Sequence, residues 1–366
     1  MKVAVILPWG ARYSPSAQPG AIELSIETIL AHSRYLKDTT VISNPPIYEG
    51  IVHSPYESCT FLAAIEGQRI RGNRKVWHRA LIARLEALQP DIILVEQTAL
   101  SVPVLKSAFP SIPILLHRHD AQVPVNPLKR WRLHKDICKA DFVICNSNYT
   151  RLHHVRHCGC KTEKVKTLYN ALSFPNQPIA YKKEKLVVCV AGMMPRKGPH
   201  IFVEALTLFL TACPDWSAIL VSTTSGKAPK RYRAALKESI MKCRKLSYFD
   251  SLSHDGVLDL YRRSAIAVVP SQWKEPFGRT ALEAILCHSA LVSSGRGGLF
   301  EVSGEWAQYP QDQTPKAYAE AMIALARNKQ LRNKLTQEAY KRAHALFSAQ
   351  KVGADYDAIL KYCSLR

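Results

Sequence analysis

The chain lacks any apolar run near the ~20 residues that a membrane-spanning helix needs. The stretch Met1 to Leu7 is apolar, but Pro8, Trp9 and Gly10 end it. It is too short for the core of a signal peptide, so it predicts a first strand. We therefore expect a cytoplasmic protein, either soluble or peripheral on the inner face of the plasma membrane.

Two familiar motifs are also missing. Ten cysteines are scattered without a Cys-x2-Cys pair, which favours reduced thiols in a cytosolic protein. The segment from His153 to Cys160 is rich in His and Cys, but no second ligand group stands at a usual zinc spacing, so we predict no metal there. No strand is followed by Gly-x-Gly-x-x-Gly, which argues against a dehydrogenase.

Acidic residues are few for the number of basic ones: 29 Asp and Glu against 50 Lys and Arg give a net charge of +21. This charge predicts an anionic partner, which could be nucleic acid, a membrane surface or a phosphorylated substrate. Basic residues surround Trp77 and Trp131. Such clusters suit anionic lipid or single-stranded nucleic acid, and they also occur as solvated faces without a partner.

A length of 366 residues predicts two domains. Short apolar runs alternate with helical patterns in both halves, which predicts an α/β fold of doubly wound parallel sheets. The predicted strands are Val3 to Leu7, Thr39 to Ile42, Asp91 to Val95, Pro113 to Leu116, Phe142 to Cys145, Leu186 to Val190, Ala218 to Val221, Ile266 to Val269 and Ala290 to Val292. The predicted boundaries are a first domain at 1–172, a linker at 173–184, a second domain at 185–345 and a C-terminal helix at 346–366.

One candidate ligand loop follows the first strand of the second domain. Gly192 would let the backbone turn beside a ligand. Arg196 and Lys197 then place two cations at the carboxyl end of a strand, where open α/β sheets bind ligands. Both side chains suit phosphate, although an ordinary basic turn has the same composition.

A second loop follows the apolar run Ala265 to Val269. It carries Glu275 and, eight residues later in a helical pattern, Glu283. Free N–H groups at the start of that helix would make an anion site. These N–H groups belong to Phe277, Gly278 and Arg279. Two glutamates at this spacing also occur on solvated helix faces.

Together the two loops resemble those of the retaining nucleotide-sugar glycosyltransferases of family 4, which have the GT-B fold. The resemblance rests on an Arg-Lys-Gly after one strand and a Glu-x7-Glu with Pro-Phe-Gly after a later strand, about eighty residues apart. Three weaker likenesses agree: Pro19 to Glu23, Leu168 to Ala171 and Gly297 to Glu301. The fold implied is two Rossmann-like domains facing across a cleft, with the last helix crossing back to the first domain.

The resemblance also implies a role for each residue. Arg196 and Lys197 would hold the donor diphosphate, together with backbone N–H groups at Gly192 and from Phe277 to Arg279. Glu283 would bind the ribose hydroxyls, and Glu275 would orient the transferred sugar rather than form a covalent intermediate. Helix ends and cations would replace a metal, so no metal or other cofactor is expected.

The first domain would supply a catalytic histidine after a strand. His117 and His119 share one face of that strand, and we favour His119 because it falls just past the carboxyl end. Either could instead be a packed or surface histidine. Gly20 would let a loop approach the phosphate or the acceptor, although it could equally be an ordinary loop glycine.

We expect a retaining, metal-independent hexosyltransferase that uses a nucleoside diphosphate sugar, a UDP-sugar before GDP-mannose. The acceptor would be a glycan or a lipid-linked molecule in cell-surface polysaccharide or lipopolysaccharide synthesis. The alternatives are a GT-B sugar-nucleotide epimerase or hydrolase, and a basic nucleic-acid- or membrane-binding protein without catalysis.

Overall fold

The computed structural model describes residues 1–9, 20–43, 59–61, 73–175, 182–223 and 228–365. The chain forms two compact units. Unit 1 comprises Met1–Ser173 and Ala349–Arg366, and unit 2 comprises Phe174–Ser348.

Unit 1 is built on one parallel sheet, in which the described strands lie in the order β3-β2-β1-β4-β5-β6-β7. The strands are β1 Val3–Ile6, β2 Thr39–Ser43, β3 Cys59–Phe61, β4 Ile92–Glu96, β5 Ile114–Arg118, β6 Phe142–Cys145 and β7 Val165–Thr167. The connecting helices are α1 Ala21–Leu30, α2 Arg74–Leu88, α3 Val102–Ala108, α4 Pro127–Cys138 and α5 Asn148–Cys158.

Both faces of this sheet are covered. Alternate residues of β1 enter different cores: Ala4 and Ile6 pack with Trp77 of α2, whereas Val3 and Val5 pack with α1 on the other face. A strand buried on both sides needs apolar residues at every position. This requirement explains why the central strands appear in the sequence as short continuous apolar runs.

Unit 2 has a second parallel sheet, with the described strands in the order β10-β9-β8-β11-β12. The strands are β8 Glu184–Val190, β9 Ser217–Val221, β10 Leu246–Phe249, β11 Ser264–Val269 and β12 Ala290–Ser293. The helices are α6 Pro199–Ala212, α7 Lys230–Lys242, α8 His254–Arg263, α9 Arg279–Leu286, α10 Gly298–Ser303, α11 Pro315–Arg327 and α12 Lys329–Phe347.

The last helix, α13 Ala349–Ser364, belongs to unit 1, where it packs against α1. Gly353 allows a close approach, because a Cβ there would lie 2.8 Å from the carbonyl oxygen of His32. Asp357 accepts hydrogen bonds from the Ser33 hydroxyl (2.5 Å) and from the Arg34 N–H (3.0 Å). Among the described residues, no helix has both the length and the apolarity needed to cross a bilayer.

The parallel doubly wound fold predicted from the sequence is confirmed, but some elements differ. The sequence from Lys316 to Phe347 is strongly helical in character, and the structure forms two helices there, α11 and α12, which are separated at Asn328. The Asn328 side chain caps α12 by accepting from the Leu331 N–H at 2.8 Å. The short strands β3, β7 and β10 were not predicted, and neither were α3, α4, α7, α8 and α10.

Candidate active site

The turn after β8 lies directly against the loop after β11. It passes through the short 3-10 helix Pro195–Lys197 to Gly198, which has φ +71°. A Cβ on Gly198 would fall 2.0 Å from the carbonyl oxygen of Pro270, so only glycine permits this approach. The Gln272 N–H also donates to the Arg196 carbonyl at 2.8 Å. Both predicted ligand loops therefore meet at the carboxyl ends of adjacent strands.

This contact brings Lys197 to Glu275. The Lys197 Nζ lies 2.7 and 2.9 Å from the two carboxylate oxygens of Glu275. The Ser271 hydroxyl donates to Oε1 of the same carboxylate at 2.6 Å. The Glu275 side chain is 8% exposed and that of Lys197 29%. The ammonium group of Lys197 and the hydroxyl group of Ser271 therefore hold the Glu275 carboxylate in one orientation.

The backbone of Glu275 is fixed by the loop after β12. Its N–H donates to the Arg296 carbonyl (3.1 Å), and its carbonyl accepts from the Gly298 N–H (2.7 Å). Gly297 has φ +67°, and a Cβ there would lie 2.4 Å from the Glu275 oxygen. The Gly-Gly pair singled out in the sequence therefore has a steric role in holding the loop that carries Glu275.

Two guanidinium groups of this site have unsatisfied donors. Arg196 lies 4.1 Å over the ring of Trp273. Its Nη1 and the Nη1 of Arg279 are buried and have no hydrogen-bond partner among the described residues. A buried donor without an acceptor is costly, and a ligand rich in anionic oxygens would satisfy both.

The start of α9 adds further donors. Gly278 caps the helix with φ +115°, and a Cβ there would lie 2.5 Å from Cδ2 of Leu299. Phe277 is buried and its ring meets Phe347 edge to face at 5.4 Å between centroids. The first N–H groups of any helix have no acceptor within it, and the positive end of the dipole favours an anion there.

Glu283 projects from α9, two turns after Glu275. It is buried, and its Oε1 lies 3.3 Å from Nε2 of His254 and 3.6 Å from Nε of Arg279. Burial and the charge of Glu283 raise the pKa of the nearby Tyr261 hydroxyl well above its usual value. A carboxylate is an acceptor for hydroxyl groups, so Glu283 is chemically suited to a sugar ring.

The two predicted loop glycines have different surroundings. A Cβ on Gly192 would meet nothing within 4 Å, so no packing requirement among the described residues explains a glycine there. Gly20 is the N-cap of α1 in an extended conformation. Its neighbour Pro19 and the loop before it lie outside the described residues.

In unit 1, His119 follows the last residue of β5, as predicted. His117 and His119 both contact the carboxylate of Glu96, which ends the neighbouring strand β4 and is fully buried. Burial by itself would raise the pKa of Glu96, but the charge of His117 and hydrogen bonds from both histidines outweigh it and lower the pKa to about 2. Burial, followed by the charge of His117, lowers the pKa of His119.

Three groups bear on metal binding. Glu96, His117 and His119 place their ligand atoms within 4.8 Å of one another, the one such group among the described residues. In the His-rich segment, Nδ1 of His154 lies 3.2 Å from Sγ of Cys158. An Asp-x-Asp triplet, which offers two carboxylates of the kind that bind metal ions, occurs on α13 at Asp355-Tyr356-Asp357. The Asp355 carboxylate accepts from Lys351, and the Asp357 carboxylate accepts from Ser33 and Arg34, just after α1.

The two tryptophans that basic residues surround in the sequence differ in how far they are exposed to solvent. Trp77 is 1% exposed and lies in the core, so the interfacial role considered for it was wrong. Trp131, on α4, is 59% exposed, with Leu128 72% exposed one turn before it. The Nζ of Lys135 lies 5.0 Å from the Trp131 ring centroid. Of these two clusters, as far as the described residues show them, the α4 cluster combines exposed apolar side chains with positive charge.

A cavity of about 1000 Å³ lies at the opposite, amino end of the second sheet, lined by residues that include Glu184 and Ala265. Lys183 also lines it, and the Lys183 Nζ donates to the carbonyls of Tyr261 (2.9 Å) and Cys287 (2.5 Å). Burial lowers the pKa of Lys183 to about 7. The predicted ligand residues lie at the other end of the strands.

Sequence reasoning did not identify Ser271, Trp273, His254 or Glu96. Each belongs to a loop, a strand end or, for His254, the start of a helix that the fold brings beside a predicted residue. Glu96 could have been found, because it directly follows the predicted strand Asp91 to Val95, and the next predicted strand along the chain precedes His119.

Two parallel-sheet units with a loop site of this kind define a GT-B glycosyltransferase. The sequence profile of the glycosyl transferases group 1 matches residues 173–342, and that of glycosyltransferase family 4 matches residues 51–173. The chain belongs to the family 4 glycosyltransferases.

Individual relatives are distant. The protein YtcC of Bacillus subtilis, whose name describes a glycosyltransferase, is 22% identical over 95% of this chain and 90% of its own. The lipopolysaccharide core biosynthesis mannosyltransferase LpsB of Rhizobium meliloti is 29% identical over 32% of this chain and 34% of its own. The structure of Anabaena Alr3699/HepE in complex with UDP-glucose superposes with a TM-score of 0.77 at 18% identity, covering 99% of this chain and 100% of that one.

Proposed function

We propose that this glycosyltransferase takes a hexosyl group from a nucleoside diphosphate sugar, with UDP-sugars first and GDP-mannose second, and that the anomeric configuration is retained. The buried, unsatisfied guanidinium nitrogens of Arg196 and Arg279 carry this proposal. Arg196 precedes Lys197, and Arg279 begins α9, so these donors belong to two loops that contact each other, and cations of this kind suit a diphosphate. Solved structures of similar fold hold UDP or UDP-glucose, which supports a uridine nucleotide first.

In this scheme the positive groups stabilise the leaving diphosphate, the task that a metal performs in other glycosyltransferases. We propose that Glu283 binds the ribose, that Glu275 orients the sugar and that His119 is a catalytic residue. The two aspartates of the Asp-x-Asp triplet are engaged in contacts within unit 1, so they do not suggest a metal site. Transfer is therefore proposed to need no metal or other cofactor.

The test is thermal stability against a panel of UDP-, GDP- and ADP-sugars, with and without EDTA. A bound ligand stabilises by mass action, so saturation at 100 times Kd adds about 2.7 kcal/mol. We expect one nucleotide sugar to raise the Tm and EDTA to leave that shift intact. A shift that EDTA abolishes would contradict metal independence. No shift with any donor would contradict the donor class.

Retention is tested by NMR of the first product formed. The anomeric coupling constant should match the configuration of the donor, and an inverted product would refute retention. Consumption of the donor without any acceptor, giving an epimer or a free sugar, would instead indicate an epimerase or hydrolase.

We propose that the acceptor is a glycan or lipid-linked molecule of cell-surface polysaccharide or lipopolysaccharide synthesis, met at an anionic membrane through α4. The similarity to LpsB supports the acceptor class. Exposed Leu128 and Trp131 lie on α4 with four Lys and Arg residues and suit the bilayer interface, where each cation near an anionic surface adds about 1 kcal/mol.

Vesicle co-sedimentation tests this surface. Binding to anionic vesicles should weaken with salt and fall in Trp131→Ala, but not in the control Met241→Ala, whose side chain is exposed on α7 in unit 2. Equal binding to neutral vesicles would refute the proposal, and tight salt-sensitive binding to single-stranded nucleic acid alone would indicate the other partner.

A further inference from the structure

In unit 1, the fully buried carboxylate of Glu96 contacts both His117 and His119. Glu96 and His117 are register partners on β4 and β5. The Oε2 of Glu96 lies 2.6 Å from Nε2 of His119 and 3.2 Å from Nδ1 of His117. The rings of the two histidines are stacked at a tilt, with centroids 4.1 Å apart.

These distances fit shared protons better than a shared metal. Two nitrogen or oxygen ligands at about 2.05 Å from a tetrahedral zinc ion are about 3.3 Å apart. The separation of 2.6 Å between His119 and Glu96 is shorter, and it is the length of a charge-assisted hydrogen bond.

The direction of these bonds follows from the chemistry of the groups. An ionised carboxylate only accepts hydrogen bonds, so each contacting nitrogen carries a proton. His119 is then protonated at Nε2. Because burial and the charge of His117 lower its pKa, the ring is neutral near pH 7 and Nδ1 keeps its lone pair.

The backbone of His119 is fixed independently. Its N–H donates to the side-chain oxygen of Gln97 at 2.9 Å, and its carbonyl accepts from Nδ2 of Asn146 at 3.1 Å. Arg118 donates to the Gln97 carbonyl at 2.7 Å and to Asp120 at 2.7 Å, which braces the same turn. With the main chain held, the remaining freedom of His119 is the ring and its tautomer, and the Glu96 carboxylate controls both.

We propose that Glu96 is a positioning residue that holds His119 as the Nε2–H tautomer, so that Nδ1 is presented as an acceptor for a substrate hydroxyl. This inference rests on the proposed catalytic role of His119. It adds Glu96 as the residue that determines which ring nitrogen of His119 donates a hydrogen bond and which accepts one. His117 is the second donor to the carboxylate and has no other partner for its buried Nε2 among the described residues.

The tautomer is measured directly by nitrogen-15 NMR of the histidine-labelled wild type at pH 7.5, with His119→Asn used to assign the signal. We expect a protonated Nε2 and an unprotonated Nδ1. The Nδ1–H tautomer, or a metal ion bound stoichiometrically at these residues in the purified protein, would overturn the proposal. This experiment does not depend on whether a Glu96 variant folds.

Kinetics supply the second test. Glu96→Gln should lower kcat at least about tenfold, the loss expected for one misdirected hydrogen bond, and should leave the Kd for UDP within about twofold. Glu86→Gln, on the exposed face of α2, is the matched control. In a His119→Ala background, Glu96→Gln should have no further effect, because Glu96 acts through His119.

The outcomes separate the two claims. Wild-type activity in His119→Ala would refute the proposed role of His119. A large loss in His119→Ala together with an unchanged kcat in Glu96→Gln would refute only the positioning role of Glu96. An equal loss from Glu96→Gln in both backgrounds would show that Glu96 supports the fold and not the ring.

Discussion

Replacing Lys197 with methionine tests the site at its centre. The Lys197 side chain forms an ion pair between the two loops, since its Nζ lies 2.7 and 2.9 Å from the two carboxylate oxygens of Glu275. Methionine keeps most of the side-chain volume and removes the charge. The variant therefore loses the proposed diphosphate contact and leaves a nearly buried carboxylate whose remaining side-chain partner, among the described residues, is the Ser271 hydroxyl.

The effect of Lys197→Met can be estimated separately for UDP binding and for the stability of the protein. A hydrogen bond to a charged group contributes roughly 1.5–3 kcal/mol, so the Kd for UDP should rise roughly 10- to 150-fold. Breaking a buried ion pair costs up to about 3–5 kcal/mol. Because the Lys197 side chain is 29% exposed, we expect the lower part of that range and a Tm lower by several degrees.

Titration calorimetry with UDP at 25 °C, below the unfolding transition, measures the Kd for UDP without a contribution from the lower stability of the variant. The control is Lys185→Met, which removes a lysine that is 64% exposed and paired with Asp215 in the same unit. The complementary variant Glu275→Gln should bind UDP as tightly as the wild type or more tightly, because the lysine no longer faces a competing carboxylate, yet transfer should fall at least about 100-fold. Wild-type affinity in Lys197→Met would refute the assignment.

Three further predictions test other parts of the account. Glu283→Gln should weaken UDP binding about tenfold and reduce the preference for UDP over 2′-deoxy-UDP in calorimetry; an unchanged preference would exclude a ribose contact. Gly297→Ala should lower the Tm, because positive φ alone costs about 1–3 kcal/mol and the Cβ would meet the Glu275 backbone, whereas Gly192→Ala should not, since its Cβ meets nothing within 4 Å. Burial lowers the pKa of His154 to about 3, so the unfolded chain binds more protons below pH 6.5 and stability should fall by about 2 kcal/mol between pH 6.5 and 5. The free energy of unfolding of His154→Gln, measured with denaturant, should therefore change by about 2 kcal/mol less over this pH range. An identical pH dependence in the variant and the wild type would contradict a buried, neutral His154.

The central strands could be predicted because a strand covered on both faces must be apolar throughout. Phe142–Cys145 was predicted at its observed bounds for this reason. The edge strand Leu246–Phe249 was missed because its residues alternate between exposed and half-buried positions, which gives no continuous apolar run. The break between α11 and α12 depends on one asparagine cap within a long helical pattern, and such a local event is easily missed.

The site was predictable in parts. Each loop could be placed at a strand end from sequence, but the contact between Lys197 and Glu275 joins residues 78 positions apart and depends on the glycine at position 198. Trp77 is a residue for which the sequence suggested the wrong environment. Its basic neighbours suggested a surface, and only the packing of α2 on the sheet shows that the ring is buried.

Hydrogen–deuterium exchange with and without saturating UDP tests the central claim most directly, because it locates the nucleotide without any variant. We predict slower exchange in residues 191–198 and 275–286, which cover the first loop, the end of the second loop and α9. Protection confined to other segments, such as those lining the cavity at the amino end of the sheet, or no protection under conditions where calorimetry shows binding, would contradict the proposed donor site.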